Sequence, residues 1–205
     1  MRMRNSCLAL AAMLGFVGFA VHAASGASLR VQVVDQRGVP VRDAVVELDA
    51  PGGRSGAIRF PWRMAMAQKD LRFVPGTLIV ARGSTVAFPN LDRLRHSVYS
   101  FSKPARFTIE LYGRDQTRTQ AFPIAGTVAL GCNIHDGMRG YIRVVDTPFA
   151  GKTDRNGYLT LDALPTGSAK ITVWHPRLRA PGNQTTQAVA VAAGSGSRKV
   201  QVQLR

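Results

Sequence analysis

The sequence predicts an all-β protein, and three observations predict it. Short runs rich in Val, Leu and Thr alternate apolar with polar residues, the period of a half-buried strand. Breakers punctuate these runs throughout, with 20 Gly and 11 Pro in 205 residues. No stretch of useful length carries apolar residues at helical spacing.

The first residues stand apart from that pattern. Arg2 and Arg4 form a positive region, Cys7 to Val21 is apolar, and Val21-His22-Ala23 offers small residues where a signal peptidase reads. This predicts a secretory signal peptide over residues 1–23, cleaved after Ala23 or Ala24, and a periplasmic or secreted protein. The apolar run is short for a membrane span. Cys7 precedes the run, whereas a lipidated cysteine would follow it. No other run is long enough to cross a bilayer, so the mature chain is expected to carry no transmembrane segment.

Leu29 to Val33 alternates as a strand, Asp35-Gln36-Arg37-Gly38 is turn chemistry, and Val39 to Leu48 reads as a second strand. Pro51-Gly52-Gly53 breaks the pattern, and residues 51–66 read as an exposed connection with partial burial at Phe60 and Trp62. Residues 67–145 have a denser rhythm. Strands are expected at Thr77–Ala81, Ser84–Phe88, Ser97–Phe101, Phe107–Leu111, Gly126–Leu130 and Gly140–Val145, as in a sandwich or barrel. The polar stretch up to Gln120 reads as a connection. Residues 146–205 return to the style of the N-terminus, with turns at Asp154-Arg155-Asn156-Gly157 and Leu164-Pro165-Thr166-Gly167. Strands are expected at Tyr158–Leu161, Lys170–Trp174, Gln187–Ala192 and Lys199–Leu204, and a turn at Gly194-Ser195-Gly196-Ser197.

The chain carries 27 Lys and Arg against 12 Asp and Glu, a formal charge of +15. Loss of residues 1–23 removes Arg2 and Arg4 and no acid, leaving +13. So basic a chain favours acidic partners: an acidic redox protein, an anionic membrane surface or nucleic acid. Export argues against nucleic acid, and no aromatic-basic interleaving of the kind that stacks bases is present. Processing also removes Cys7 and leaves Cys132 as the single cysteine. Exported proteins normally pair their thiols. A lone Cys is therefore a buried inert thiol, half of an intermolecular disulfide, a nucleophile or a metal ligand.

The surrounding residues favour the last of these. In Gly131-Cys132-Asn133-Ile134-His135-Asp136-Gly137-Met138-Arg139-Gly140, the Cys, His and Met fall at i, i+3 and i+6. Thiolate and thioether are soft donors that suit copper, and imidazole suits both of its oxidation states. A tight loop between strands can aim all three side chains inward, with Gly137 and Gly140 allowing it to bend. His96, just before the strand Ser97–Phe101, is the natural second imidazole. Together His96, Cys132, His135 and Met138 give the His2Cys plane and weak axial Met of a type 1 copper centre. Structural zinc sites use more thiolates or histidines in paired spacings. A Cys-His nucleophilic pair would lack an orienting partner and leave Met138 idle.

With those residues in view, the stretch from about 67 to 145 resembles the cupredoxins, with a ligand loop closest to the amicyanin type. Phe73-x-Pro75, Leu78-x-Val80, Gly83-Ser84-Thr85-Val86-x-Phe88 and Asn90-x-Asp92 ahead of His96-Ser97-Val98 resemble that family's approach to its first His ligand. Cys132-x2-His135-x2-Met138 resembles its second ligand segment. Tyr99-Ser100-Phe101-Ser102, Leu130-Gly131-Cys132-Asn133-Ile134-His135 and Val173-Trp174-His175-Pro176 resemble bacterial proteins labelled methylamine-utilization proteins. The resemblance implies a Greek-key β-sandwich holding one blue copper. Ser97 stands where many cupredoxins have Asn, and Asp136 where amicyanin-like loops often have Pro.

The flanks resemble another family. Val31-x-Val33-x-Asp35-x2-Gly38-x-Pro40-Val41-x-Asp43-Ala44-Val45-Val46-x-Leu48 resembles the first half of a carboxypeptidase regulatory-like (transthyretin-like) β-sandwich. Thr153-Asp154-x2-Gly157-Tyr158-Leu159-x-Leu161 with Leu164-Pro165-x-Gly167 resembles its second half. This implies a discontinuous small sandwich, residues 28–50 with 146–205, carrying a cupredoxin domain at 67–145 as an insertion. The alternative is that residues 28–50 supply the cupredoxin's own first strands.

The expected function is one-electron transfer with an acidic redox partner, Arg139 lying beside the axial Met near the ligand edge. Copper binding for delivery, resistance or sensing would use the same ligands. A binding module whose flanking sandwich contacts a carbohydrate or an envelope partner is a third reading. An enzyme is least expected, since four protein ligands leave no substrate position and a multicopper oxidase needs further His clusters. His175 ends a strand, and its role is open between a structural histidine and a contact with the copper domain.

Overall fold

Period-two alternation dictates where the strands fall and which side of each faces a core. The computed structural model describes residues 26–52 and 57–205, so the predicted signal peptide lies outside the described residues. In chain order the strands are β1 (Ala27–Val34), β2 (Val45–Asp49), β3 (Ala67–Lys69), β4 (Arg72–Val74), β5 (Thr77–Ala81), β6 (Ser84–Pro89), β7 (His96–Ser102) and β8 (Ala105–Tyr112). They continue with β9 (Thr117–Phe122), β10 (Gly126–Gly131), β11 (Arg139–Val145), β12 (Ala150–Lys152), β13 (Tyr158–Leu164), β14 (Gly167–Trp174), β15 (Gln184–Val191) and β16 (Ser195–Gln201). The expected all-β class is what the chain adopts: among the described residues there is no α-helix, and none therefore long and apolar enough to cross a membrane.

The two ends of the chain pair with each other. β1 lies between β13, antiparallel, and β16, parallel, while β2 lies between β12 and β14, with β15 at the edge. Alternate residues of these two sheets meet in one core that includes Val31, Val33, Val46, Leu48, Ile171 and Val173. Each such side chain contributes about 1.5–3 kcal/mol by leaving water. Neither β1 nor β2 is paired with any strand between residues 67 and 145.

Two details differ from the sequence reading at these ends. The expected strand Val39–Leu48 begins only at Val45, because the chain turns first. The Asp35 carboxylate accepts the N–H groups of Arg37 and Val39 at 2.8 and 2.9 Å, and Asp43 adopts φ 58°. At the other end, Ser195, Gly196 and Ser197 lie in β16 rather than in a turn. Their backbone groups are satisfied by the parallel ladder to Ser28, Leu29 and Arg30, a partner that Gly-Ser composition does not reveal.

The middle of the chain builds a five-stranded sheet, β5-β11-β10-β7-β8, covered by the pairs β6-β9 and β3-β4. Val80, Val86, Phe88, Val98, Phe122 and Ile142 fill the space between, and Cys132 and Met138 belong to the same cluster. β9 falls in the stretch expected to be a connection. Its residues are mostly exposed and polar, so no apolar alternation marks it, but it pairs with β6 along six residues.

A third, smaller cluster joins the two halves. Val45, Ile79, Val145 and Trp174 are buried together, with Tyr141 edge-on to Trp174 at 5.3 Å. Glu47 pairs with the buried Arg143 guanidinium, whose Nη1 also donates to Thr127 at 2.8 Å. The connection before residue 67 is less exposed than expected. Phe60 stacks on Trp62 at 4.7 Å, the Trp62 indole N–H donates to the Ile79 carbonyl at 2.8 Å, and Met66 is fully buried.

Candidate metal centre

β7 and β10 are neighbours, with Gly131 opposite Tyr99. That register puts His96, the first residue of β7, beside Cys132, which follows the last residue of β10. The β10–β11 connection runs from Cys132 to Met138 and is closed by the Met138 N–H on the His135 carbonyl at 2.9 Å. Two glycines allow this packing. A Cβ on Gly131 would lie 2.5 Å from the Tyr99 ring, and one on Gly140 would lie 2.8 Å from Phe73 Cβ.

The outcome is a convergence of donors. His96 Nδ1 and His135 Nδ1 are 3.1 Å apart, and Cys132 Sγ lies 3.8 and 3.7 Å from them. Donors about 2.0 Å (nitrogen) and about 2.3 Å (sulfur) from one ion, spread at about 120°, would sit about 3.5 Å (N–N) and about 3.7 Å (N–S) apart. The triangle therefore fits a single metal ion. Among the described residues it is the one such group of His, Cys, Asp and Glu side chains. Met138 is buried at 2% exposure in the cluster that holds Cys132, and both reach a cleft of 730 Å³ that Tyr99, Phe101 and Tyr141 flank. His96 is wholly buried and Cys132 nearly so, whereas His135 is half-buried and forms the solvent edge.

Neighbouring side chains hold the donors in place. Ser97 Oγ, 1% exposed, accepts the Asn133 N–H at 3.0 Å and donates to Cys132 Sγ at 3.7 Å. It thus joins the two donor-bearing segments. Asp92 Oδ2 lies 2.8 Å from His96 Nε2. Burial pushes the Asp92 carboxyl up, but the Leu71 N–H, the His96 ring and the Asp70 N–H outweigh it and hold the group below the usual carboxylate range. Gln68, fully buried, donates to the Ser97 carbonyl at 3.4 Å.

Of the other residues singled out in the sequence, Asp136 and Arg139 are exposed at the rim of the cleft. His175 is outside the donor cluster. It accepts the Arg177 N–H at Nδ1, and burial, reinforced by the Arg177 charge and opposed by Asp43, lowers its pKa. The residue that sequence reasoning left without a role is Asp92. Its signal was present: Asx-turn chemistry at Asn90-x-Asp92, and a carboxylate four residues before a candidate ligand.

No protein-family model matches the chain, and no curated protein matches it. Solved structures similar to it include cupredoxins and a larger copper protein. One is an amicyanin variant in its reduced form, 20% identical, covering 49% of this chain and 98% of that chain with a TM-score of 0.39. Another is a purple cupredoxin from Nitrosopumilus maritimus, 17% identical, covering 40% and 98% with a TM-score of 0.36. A copper-containing nitrite reductase from Thermus scotoductus SA-01 is 23% identical, covering 55% of this chain and 28% of its own with a TM-score of 0.39.

Proposed function

We propose that this chain is an exported type 1 copper protein that binds one copper through His96, Cys132, His135 and Met138 and carries single electrons, rather than catalysing a reaction. The observation that carries the reading is the triangle of two imidazole nitrogens and one thiol sulfur around a point that a single ion fits. Copper in such a site supplies a one-electron Cu(I)/Cu(II) couple. The protein's part is to keep the donors still: His96 and Cys132 are buried at the ends of paired strands, and Ser97 ties their segments together.

The half-buried His135 offers a short route to a partner. Leu91 and Leu94, ahead of His96 in the chain, and Ile134, next to His135, are exposed, as are Arg93, Arg95 and Arg139. Exposed apolar and basic side chains on the segments that carry His96 and His135 suit an acidic redox protein, steered by the charge of +13 left once residues 1–23 are removed. We read residues 28–50 with 146–205 as a separate small sandwich that carries the cupredoxin-like part, because β1 and β2 pair only with strands after residue 146. Residues 1–23 we read as the signal that delivers the chain to the periplasm or beyond.

The rival within the same site is copper delivery, which the cleft reaching Cys132 and Met138 favours. Electron self-exchange of the copper-loaded protein, measured beside copper transfer to a competing chelator, separates the two. Fast exchange with slow metal loss supports the carrier. Sluggish exchange with ready metal loss supports delivery and overturns it.

A further inference from the structure

Among the described residues, Asp92 is the acidic side chain in direct contact with the donor cluster, and the fold holds it with unusual care. Its Oδ1 accepts the Asp70 N–H at 2.6 Å and its Oδ2 the Leu71 N–H at 3.1 Å. Its own N–H donates to Asn90 Oδ1 at 2.9 Å. Asn90 is fully buried, and its amide donates to the carbonyls of Leu94 and Tyr112. Asp92 is thus braced by β3–β4 on one side and by the chain between β6 and β7 on the other.

The β3–β4 turn shows what the bracing demands. Asp70 and Leu71 both adopt the left-handed conformation, with φ 53° and 56°. Two-residue turns of that kind are normally filled by Asn-Gly or Asp-Gly, because a β-carbon is strained there. Leu71 is 46% exposed, so burial of its side chain does not offset the strain. What the turn achieves is to aim two consecutive N–H groups at one carboxylate. Strained backbone of this sort gathers where function over-determines it.

Building on the copper reading above, we propose that Asp92 is a positioning residue that fixes the His96 tautomer and biases the site toward Cu(II). An ionised carboxylate only accepts hydrogen bonds, so the His96 ring donates from Nε2, and in the neutral ring this leaves Nδ1 bare toward the other donors. A neutral acceptor would fix the tautomer equally well. What the negative charge adds is a more electron-rich imidazole, which stabilises the higher oxidation state of a bound metal.

Asp92→Asn keeps the size and removes the charge. Relative to wild type, the ratio of Cu(II) to Cu(I) affinity is expected to fall about tenfold or more, a rise in potential of about 59 mV per decade for one electron. Asp92→Glu, which restores the charge, is expected to return the potential toward wild type. A folded Asp92→Asn protein with unchanged potential overturns the electronic half of the proposal. The tautomer half is read without variant or metal, from the 15N shifts of the His96 ring in metal-free wild type. A proton on Nε2 supports it, and a proton on Nδ1 with Nε2 bare overturns it. Wild type that takes up no copper would sink the copper reading and leave the tautomer result standing.

Discussion

Replacing Ser97 by Ala removes one oxygen atom from the structure and tests how the two ligand segments are held together. Ser97 Oγ is buried and serves two partners 35 and 36 residues away, donating to Cys132 Sγ and accepting the Asn133 N–H. Alanine leaves that N–H without its acceptor, and an unmade hydrogen bond at a buried donor costs about 1–3 kcal/mol. The sulfur loses only a weak acceptor contact in the metal-free protein, so the N–H dominates. Asn133 itself is exposed and water can reach part of the gap, which places the expected loss at about 1–2 kcal/mol. In a domain of this size that corresponds to about 2–8 °C in Tm. The assay is urea unfolding of the metal-free protein, with the slope m unchanged so that the loss belongs to the native state. In the copper-loaded protein the thiolate loses its hydroxyl donor, and the thiolate-to-copper absorption should move. A variant within about 0.5 kcal/mol of wild type, the range of an uninvolved surface position, would refute the idea that Ser97 joins the segments.

Glu47→Ala leaves the buried Arg143 guanidinium, among the described residues, with the Thr127 hydroxyl as its remaining side-chain partner. It should cost about 3–5 kcal/mol in urea unfolding, whereas a loss under about 1 kcal/mol would show that the pair does not couple the two halves. Gly140→Ala would set a methyl 2.8 Å from Phe73 Cβ in the core. Overpacking of about 1–3 kcal/mol is expected from thermal unfolding, and an unchanged Tm would mean that β11 has room to shift. His175 has a folded pKa below its ordinary 6.5, from burial first and then Arg177. The unfolded chain therefore binds the proton more readily. The stability that a neutral His175 permits is complete above about pH 6.5 and declines as pH falls from there through the lower folded value. His175→Gln should flatten that decline in urea midpoints between about pH 7.5 and 5, and an unaltered slope would contradict it.

Much of the fold was legible because burial on one face writes itself as alternation. β1, β10 and β14 carry that signature in whole or part, while β5, buried along its whole length, reads as a continuous apolar run, and each appears near where the sequence placed it. β9 and the start of β16 were illegible for the complementary reason. They are exposed strands whose hydrogen bonds come from partners distant in sequence, and composition carries no trace of a ladder. Val39–Leu48 misled because its apolar residues continue through a turn that is set by the Asp35 carboxylate and the backbone of Asp43.

At the site, soft-donor chemistry and spacing singled out His96, Cys132, His135 and Met138 before any geometry was known. The first three side chains converge, and Met138 is buried in the cluster that holds Cys132. The braces were harder to read. Ser97 stands where the sequences it resembles often have the longer Asn, and β7 brings it close enough for a hydroxyl to reach both partners. Asp92 required knowledge that the turn at Asp70-Leu71, far away in the chain, would point at it.

The central claim is that one thiolate and two imidazoles bind copper as a unit. Its most direct test is the visible and electron paramagnetic resonance spectrum of the mature protein loaded with one equivalent of Cu(II), recorded beside Cys132→Ser. The account predicts an intense blue thiolate-to-copper band with narrow copper hyperfine splitting in wild type, and neither feature in the variant. A colourless wild-type Cu(II) protein, or a variant that stays blue, would contradict it.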